Sequence, residues 1–464
     1  MAQGGPFSKV HAHIDAEFAH HVKRIQEYLR QPSVAITGEG IPECAEMTAA
    51  RIREIGGEAR VVTTRTHPLV LGRIKGAAEG GTLLRYDMYD VQPAEPLDAW
   101  KSPPWAAEII GDRIVGRGAH NNKGPLAAYF NALQAILEVE GQLPCSIDFV
   151  IEGEEEIGSS ALIEYVNGHR EEFAHCDALD GWFPYQPTPT APPPIECGFK
   201  GCLFFELVAR GPNDVHSMMA SIVDNPAWRL VWALETMRDV EDRVTVEGFY
   251  DDVPRPTPEE RANLPKLRSY LEWPRVQAGV QRLRGQGKRA ELDMLEELFF
   301  KPSPINLQGL TSGWQGEGCK TITPGEAVAK VDVRTVAKQD GNKLLAAIRR
   351  HLNMYGFGDV EIRAVDYTPW SRSPTDSAVV QAAARACRDF GWEPMVVPTD
   401  PGTGPNYLFT NNPPLHLHEF YGGLGHGGNI HAPNEYFLVE SVRLFEKSAV
   451  NFLHRWAEMR RGPA

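Results

Sequence analysis

Three consecutive glutamates are the side chains of this sequence best suited to chemistry. Glu154, Glu155 and Glu156 follow the apolar run Cys145–Ile151, which predicts a buried strand, and precede a helical pattern at Ser160–Asn167. Open α/β folds place their chemistry at the carboxyl ends of such strands. Like charges held together there raise the pKa of at least one carboxyl group, which suits proton transfer. On its own, however, the cluster is more typical of a solvated acidic turn that opens a helix.

Four further segments stand where a predicted strand gives way to a loop or a helix. They are Met88–Pro93, Gly116–Gly124, Asp177–Asp180 and His431–Glu435. The second is a glycine-rich turn that opens a predicted helix, and the third ends an apolar run. Together with the glutamates, these segments are the candidate components of one functional site.

The elements that position these segments alternate between strand and helix patterns, which indicates an α/β layer architecture. The proline-rich stretch Gln186–Pro194 interrupts the alternation and predicts irregular structure. Residues 202–366 then read as an inserted α+β domain. The α/β pattern of residues 1–201 resumes in residues 367–464, where an amphipathic helix is predicted from Tyr436 to about Met459.

Composition excludes several classes of partner. The chain has 464 residues, 42% hydrophobic and 23% charged, which is typical of a globular protein with more than one domain. A net charge of −14 argues against binding to nucleic acid or to an anionic membrane surface. No apolar run approaches the ~18 residues of a membrane span. The seven cysteines include no C-x-x-C pair, so we expect a reduced, cytoplasmic protein.

The order and wording of these motifs resemble the zinc-dependent exopeptidase family of carnosinase, acetylornithine deacetylase and succinyl-diaminopimelate desuccinylase. The resemblance spans nearly the whole chain and includes the phrases Gly211–Ser217 and Gly316–Thr321. The phrase Gly248–Val253 places the carnosinase-like dipeptidase branch nearest. Each phrase alone is a weak signal, but so many matches in the same order are a strong one.

The resemblance implies a mixed-sheet, three-layer catalytic domain and an inserted lid domain that mediates homodimerisation. It also implies two zinc ions about 3.5 Å apart that activate a water molecule for amide hydrolysis. Residue by residue, Glu155 matches the general base. Glu156, Asp180 and His431 match metal ligands, and Asp90 matches an aspartate that orients a histidine ligand.

The resemblance assigns substrate contacts mainly to the inserted domain. His216 matches the lid histidine that stabilises the developing oxyanion, and Arg334 matches a residue near the substrate. Asn225 and Thr403 are the remaining candidate substrate-binding residues. The family's carboxylate-binding arginine is replaced by Thr399, which argues against an ordinary dipeptide with a free carboxyl terminus.

Two central positions depart from the family pattern. Met88 stands where the family has its first histidine ligand, and Asn121 stands where it has the aspartate that bridges both ions. A thioether is a poor zinc ligand, and a neutral carboxamide does not offset the repulsion between two dications. We therefore expect no intact dinuclear centre. One divalent ion, zinc or manganese, bound by Glu156, His431 and the Asn121 oxygen, or no metal at all, are the alternatives.

Three functions remain open at this stage. The first is an amide-bond hydrolase, similar to a dipeptidase or a deacylase, that acts on a small amino-acid-derived substrate. The second is a metal-independent enzyme that uses Glu155 and Glu156 as acid and base for cyclisation, isomerisation or acyl transfer. The third is a non-catalytic relative. Retention of Glu155, Glu156, Asp180, His216 and His431 together favours an enzyme.

Overall fold

Helices and strands alternate along the chain as the sequence pattern predicts. The computed structural model describes residues 7–211 and 213–461. Pro212, within the predicted lid phrase Gly211–Ser217, and the terminal residues 1–6 and 462–464 of the predicted catalytic domain lie outside the described residues.

The described residues form twelve helices, which carry the labels used below. They are α1 (Ser8–Arg30), α2 (Ile41–Glu54), α3 (Lys123–Glu140), α4 (Ser160–Gly168), α5 (Pro226–Met237), α6 (Pro258–Asn263), α7 (Ser269–Ala278), α8 (Glu291–Phe300), α9 (Gly341–Met354), α10 (Ala378–Asp389), α11 (Tyr407–Thr410) and α12 (Val439–Arg461).

The same residues form nineteen strands, several of them short. They are β1 (Glu58–Val62), β2 (Leu69–Ile74), β3 (Thr82–Met88), β4 (Glu108–Ile110), β5 (Arg113–Val115), β6 (Ser146–Glu152), β7 (Ala178–Asp180), β8 (Pro194–Glu196), β9 (Gly201–Arg210), β10 (Val215–His216), β11 (Asn306–Ser312), β12 (Ile322–Thr323), β13 (Glu326–Thr335), β14 (Glu361–Thr368), β15 (Met395–Val397), β16 (His418–Glu419), β17 (Tyr421–Gly422), β18 (Gly427–Gly428) and β19 (Tyr436–Leu438).

The chain divides into two compact units. Unit 1 comprises Met1–Gly198, Arg372–Pro398 and Leu408–Ala464, and unit 2 comprises Phe199–Ser371 and Thr399–Tyr407. In the described residues of both units, no helix is long and apolar enough to cross a membrane.

Unit 1 is built on a six-stranded sheet with the order β1-β2-β6-β3-β7-β16. Strands β6, β3, β7 and β16 run parallel, so their carboxyl ends meet at one edge of the sheet. Helix α1 packs against α3 and α12. Its apolar residues recur at helical spacing and are buried, and each such side chain contributes roughly 1.5–3 kcal/mol; they are Ile14, Phe18, Val22, Ile25 and Leu29.

Unit 2 is an α+β unit whose antiparallel sheet has the order β11-β13-β9-β14. Alternate residues of β9, including Leu203, Phe205 and Leu207, are buried, because successive side chains of a strand point to opposite faces. Helix α5 packs on β9 and β13 and meets α9. The segment 239–305, in which no sheet was predicted, contains only helices among its described regular elements.

Two predicted boundaries are wrong for identifiable reasons. Tyr436–Leu438, predicted as the start of the last helix, is a strand because it pairs with β5. Pro194, at the end of the stretch predicted to be irregular, begins β8, which pairs in parallel with β15. Proline is tolerated at the first residue of a strand, where its missing N–H costs little.

Candidate active site

The glutamate cluster lies at the carboxyl edge of the unit 1 sheet. Strand β6 ends at Glu152, directly opposite Met88 at the end of β3. The turn that follows is held by Asp90, whose carboxylate oxygens accept hydrogen bonds from the backbone N–H groups of Glu155 (3.2 Å) and Glu156 (3.0 Å). Burial raises the pKa of Asp90 well above its usual range. The structure thus shows Asp90 positioning the two predicted site glutamates.

Glu156 is the centre of a hydrogen-bonded group that we call the Glu156 cluster, formed by Glu156, Asn121, His431 and Gln92. One carboxylate oxygen of Glu156 accepts from Asn121 Nδ2 (2.6 Å) and contacts His431 Nε2 (2.9 Å). Its other oxygen accepts from Gln92 Nε2 (3.0 Å). The glutamate side chain is only 4% exposed, whereas the His431 ring is 50% exposed. The hydrogen bond to Glu156 raises the pKa of His431.

Glu155 is next to this cluster in sequence but has a different environment. Loss of hydration, reinforced by the neighbouring Glu156 carboxylate, raises the pKa of Glu155 to about 7, and His431 partly opposes the shift. A carboxyl group that titrates near neutral pH is matched to general acid–base work. The environment of Glu155 is therefore suitable for the base role that the resemblance implies.

Glu435 fixes the turn that carries Asn121. Its buried carboxylate accepts hydrogen bonds from the backbone N–H groups of Gly118 (3.0 Å), His120 (2.9 Å) and Asn121 (2.7 Å). Arg117 donates to the same carboxylate at 2.8 Å. Sequence reasoning included Glu435 only as the end of a motif and missed this role. The Glu435 carboxylate links the turn that carries Asn121 to the segment that carries His431, and the signal in the sequence was its position four residues after His431.

Asp180 does not join the Glu156 cluster. One of its oxygens accepts from the backbone N–H of Trp182 (2.8 Å) and from Arg85 (3.3 Å), and the other accepts from the Tyr129 hydroxyl. Strand register places Asp180 opposite Arg85, which lies three residues before Met88 in β3. At about 3.3 Å per residue, Asp180 is therefore level with a point roughly 10 Å before the carboxyl end of β3. Asp180 is fully buried among these partners.

Asp180, which was not among the ligands expected for a single ion, has partners other than those of Glu156 and His431. In the described part of the chain, the donor atoms of Glu156, Asp180 and His431 do not form one compact group. Asp180 ends β7, where the permanently charged guanidinium of Arg85 is its partner. Sequence spacing showed the carboxylate but not this partner.

Met88 supplies neither a charge nor an imidazole at the position where the family has its first histidine ligand. Its side chain is 6% exposed, and its backbone N–H donates to the carboxylate of Asp87 at 2.9 Å. Asp87 also accepts hydrogen bonds from Arg85 and Asn122. The expectation that unit 1 does not hold two divalent ions stays a prediction, which rests on the thioether of Met88 and the neutral amide of Asn121.

The predicted substrate-binding residues and the lid histidine all belong to unit 2. Arg334 donates from Nη1 to Thr403 Oγ1 at 2.6 Å, so these two candidates contact each other. Asn225 caps α5, because its side-chain oxygen accepts from the Ala227 N–H at 2.8 Å. Exposed His216 accepts from the Met218 N–H through Nδ1 at 3.1 Å, which leaves Nε2 as a donor.

A mixed α/β fold with paired glutamates at the carboxyl edge of its sheet defines a hydrolase-like protein, and comparison with known proteins gives its family. The family model described as Peptidase family M20/M25/M40 matches residues 83–455. The chain therefore belongs to this peptidase family. Members of the family typically bind divalent metal ions.

Individual relatives agree with the family assignment. A solved M20 family metallo-carboxypeptidase from Sulfolobus solfataricus is 33% identical with a TM-score of 0.82, and the match covers 94% of this chain and 99% of that one. A Cys-Gly metallodipeptidase of Candida albicans is 27% identical over 355 residues, 71% of this chain and 72% of the relative. Human Beta-Ala-His dipeptidase is 29% identical over 343 residues, 71% of this chain and 66% of the relative.

These findings confirm the predicted resemblance, the α/β fold class and the hydrolase class. The protein is a peptidase-family hydrolase of amide bonds. The roles of individual site residues, the state of the metal site and the assembly of the chain stay predictions.

Proposed function

We propose that this protein hydrolyses the amide bond of a small dipeptide-like or N-acylated amino-acid substrate, with Glu155 as the general base. The observation that carries the proposal is the placement of Glu155 beside Glu156 at the carboxyl edge of the sheet, in a turn that Asp90 holds in place. Two of the relatives named above are dipeptidases, which supports a substrate of this size.

For the cofactor, we propose one divalent ion, zinc or manganese, held by Glu156 and His431. These residues already share a contact of 2.9 Å, and the Asn121 carboxamide offers an oxygen beside them. The backbone of Asn121 does not need to move, because rotation of the side-chain carboxamide exchanges the positions of its oxygen and its nitrogen. A bound ion would polarise the substrate carbonyl. Asp180 is left out, and we propose that it is a structural partner of Arg85.

The second candidate is a metal-independent enzyme in which Glu155 and Glu156 act as acid and base. The contact between Glu156 and His431 favours this alternative, because it raises the pKa of the imidazole and so favours a cationic partner for the carboxylate. Such a pair would support cyclisation, isomerisation or acyl transfer as well as hydrolysis. A non-catalytic role gains no comparable support.

For unit 2, we propose that His216 stabilises negative charge on the substrate and that Arg334 binds the substrate. The Arg334 guanidinium is only half-buried and has further donors beyond the one that meets Thr403. Thr403 would then orient the guanidinium. Asn225 is the weakest of these assignments, because its oxygen already caps a helix.

We also propose that the protein forms a homodimer through unit 2. Trp228 and Trp232 of α5 stack on each other with ring centroids 5.9 Å apart and are 57% and 54% exposed. Strand β11 lies at an edge of the sheet and exposes Leu307 and Leu310. Exposed aromatic pairs and uncovered sheet edges are typical of interfaces. Light scattering on wild type and Trp232→Arg tests this, and a monomeric wild type would contradict it.

A cytoplasmic location is likewise our proposal. The seven cysteines, all within the described residues, form no disulfide bond, and five of them are buried. Buried thiols that are not in disulfides are typical of proteins kept in a reducing compartment. Fractionation of the native cells would check the location.

The central experiment compares Glu155→Gln with Glu164→Gln on a panel of dipeptides, their C-terminal amides and N-acyl amino acids. Loss of the base lowers kcat/KM by roughly 10²–10⁴-fold. Glu164 is an exposed residue of α4 and is the matched control, which should leave kcat/KM unchanged. Equal activity of wild type and Glu155→Gln on every substrate would refute the proposal. Full activity after chelation would select the metal-independent alternative.

A further inference from the structure

Three metal-binding side chains of unit 1 meet away from the candidate active site. Asp148 lies in the middle of β6, and His175 and Cys176 lie in the turn that leads to β7. His175 Nε2 is 2.9 Å from Asp148 Oδ2 and 3.9 Å from Cys176 Sγ, and the three donor atoms all lie within 4.8 Å of one another. Asp148 precedes Glu152 by four residues, so the group is roughly 13 Å from the sheet edge.

The hydrogen bonds of this group conflict. His175 Nε2 is 3.0 Å from Arg73 Nη1, a donor, and 2.9 Å from the Asp148 carboxylate, an acceptor. A single imidazole nitrogen either donates or accepts, so it satisfies only one of these neighbours. Arg73 Nε is 3.4 Å from Asp148 Oδ1, yet neither buried atom makes a hydrogen bond. Buried polar atoms without a hydrogen bond are rare and call for an explanation such as a bound ion, and here only the ion-pair contact between these two atoms remains.

We propose that Asp148, His175 and Cys176 form a second metal site of this chain, for a single borderline divalent ion such as Zn²⁺, with water as the fourth ligand. An oxygen, a nitrogen and a sulfur donor are the ligand types that zinc accepts. Tetrahedral zinc separates its nitrogen and sulfur ligands by about 3.6 Å, and nitrogen and oxygen by about 3.4 Å, given its bond lengths. The observed N···O distance of 2.9 Å and N···S distance of 3.9 Å lie within about 0.5 Å of these values.

Binding of the ion resolves the conflict described above. The His175 nitrogen and the Asp148 carboxylate both direct lone pairs at the ion, and the partly exposed Arg73 side chain turns to solvent. The thiol S–H bond breaks, its proton passes to water, and a metal–sulfur bond forms. Burial raises the pKa of the Cys176 thiol well above its usual value, so affinity for the ion increases as the pH rises. The ion also ties β6 to the segment that enters β7.

Cobalt(II) is the probe, because its bond to a thiolate gives a charge-transfer absorption band in the near ultraviolet. The full chain is stripped with chelator, dialysed and titrated with cobalt(II) chloride. We expect one equivalent that produces the band, and an affinity about 100-fold lower in Cys176→Ser or His175→Asn, because each variant loses a ligand. No cysteine is among the proposed ligands of the Glu156 cluster, so the band should persist in His431→Ala. This result separates the inference from the proposed function.

Two variants make the test discriminating. Cys319 is the exposed cysteine, and Cys319→Ser must retain the band, because only an adventitious surface complex would depend on it. Arg73→Gln removes the competing cation and should tighten cobalt binding by roughly fivefold, the scale of a surface ion pair. Absence of a band in wild type, its loss in Cys319→Ser, or weaker binding in folded Arg73→Gln would each overturn the proposal. Circular dichroism establishes that each variant is folded.

Discussion

Glu156 and Asp180 are carboxylates at the ends of nearby strands in unit 1, but their partners differ. Asp180 is fully buried and accepts hydrogen bonds from Arg85, the Tyr129 hydroxyl and a backbone N–H, of which the guanidinium and the N–H can only donate. Glu156 faces an amide and a half-exposed imidazole, His431, which exchange donor and acceptor roles by rotation or tautomerisation. A carboxylate with fixed donors stabilises the fold, whereas one with adaptable neighbours is available for a ligand.

The largest expected effect tests this contrast through stability. Asp180→Asn removes the negative charge that pairs with the buried Arg85 guanidinium and leaves Asp87 as the carboxylate partner of Arg85. We expect a loss of about 3–5 kcal/mol in the free energy of unfolding, as for a broken buried ion pair. Glu156→Gln should cost less than about 1 kcal/mol, because its neighbours readjust.

Urea unfolding of both variants and wild type at one pH measures the difference. The two substitutions are matched, since each replaces one carboxylate oxygen by an amide nitrogen. Equal losses in the two variants would remove the distinction between a structural and an available carboxylate. A large loss for Glu156→Gln alone would reverse it.

Buried cations show the same contrast and give the second prediction. Arg85 has two carboxylate partners, whereas Lys200 of unit 2 donates to the Lys301 carbonyl oxygen at 2.6 Å. Burial lowers the pKa of Lys200 to about 7. Between that value and the ordinary lysine pKa, the unfolded chain binds a proton that the folded chain lacks. Stability therefore rises with pH above about 7, by about 2–3 kcal/mol between pH 7 and pH 9.

Substitution isolates the contribution of Lys200 to this pH dependence. Lys200→Met should abolish that part of the rise, and Lys343→Met, which changes an exposed lysine, should retain it. Urea unfolding at pH 7, 8 and 9 gives the three slopes. Parallel slopes for wild type and Lys200→Met would show that Lys200 is charged in the folded protein.

The third prediction concerns metal affinity in a variant whose Glu156 cluster is closer to the family pattern. Met88→His combined with Asn121→Asp supplies an imidazole and a bridging carboxylate at the departing positions. We expect affinity for Zn²⁺ to rise about 10–100-fold, the scale on which ligand-shell changes act. Equilibrium dialysis in a Cys176→Ser background measures this without the second site. No gain would show that the surrounding shell no longer holds the family geometry.

The sequence predicted elements best where local pattern decides them. The predicted strand Cys145–Ile151 and the predicted helix Ser160–Asn167 agree to within one residue with β6 (Ser146–Glu152) and α4 (Ser160–Gly168), because an apolar run and a helical spacing are local signals. Tyr436–Leu438 was missed as a strand because its partner, β5, lies more than three hundred residues earlier in the chain. Long-range pairing leaves no local signal in a single sequence.

The features of the candidate site likewise divide into those that local sequence pattern predicts and those that depend on long-range contacts. The positions of Glu155 and Glu156 after a buried strand follow from local pattern, and the structure places them at the sheet edge. The permanent partner of Asp180, the role of Glu435 and the contact between Gln92 and Glu156 depend on residues distant in sequence. A motif therefore indicates which side chains can do chemistry, but not which of them the fold has already engaged.

The smallest expected effect tests the contrast between fixed and adaptable hydrogen-bond partners in unit 2. Asn225 was predicted to bind substrate, yet its side-chain oxygen caps α5 by accepting from Ala227. Asn225→Ala should lower the free energy of unfolding by about 1 kcal/mol, while Asn225→Ser, which keeps a capping oxygen, should change it by only a few tenths. A fixed cap predicts an unchanged KM for the serine variant. If KM rises in Asn225→Ser at unaltered stability, the carboxamide of Asn225 contacts the substrate, and a permanent structural partner does not disqualify a residue from binding.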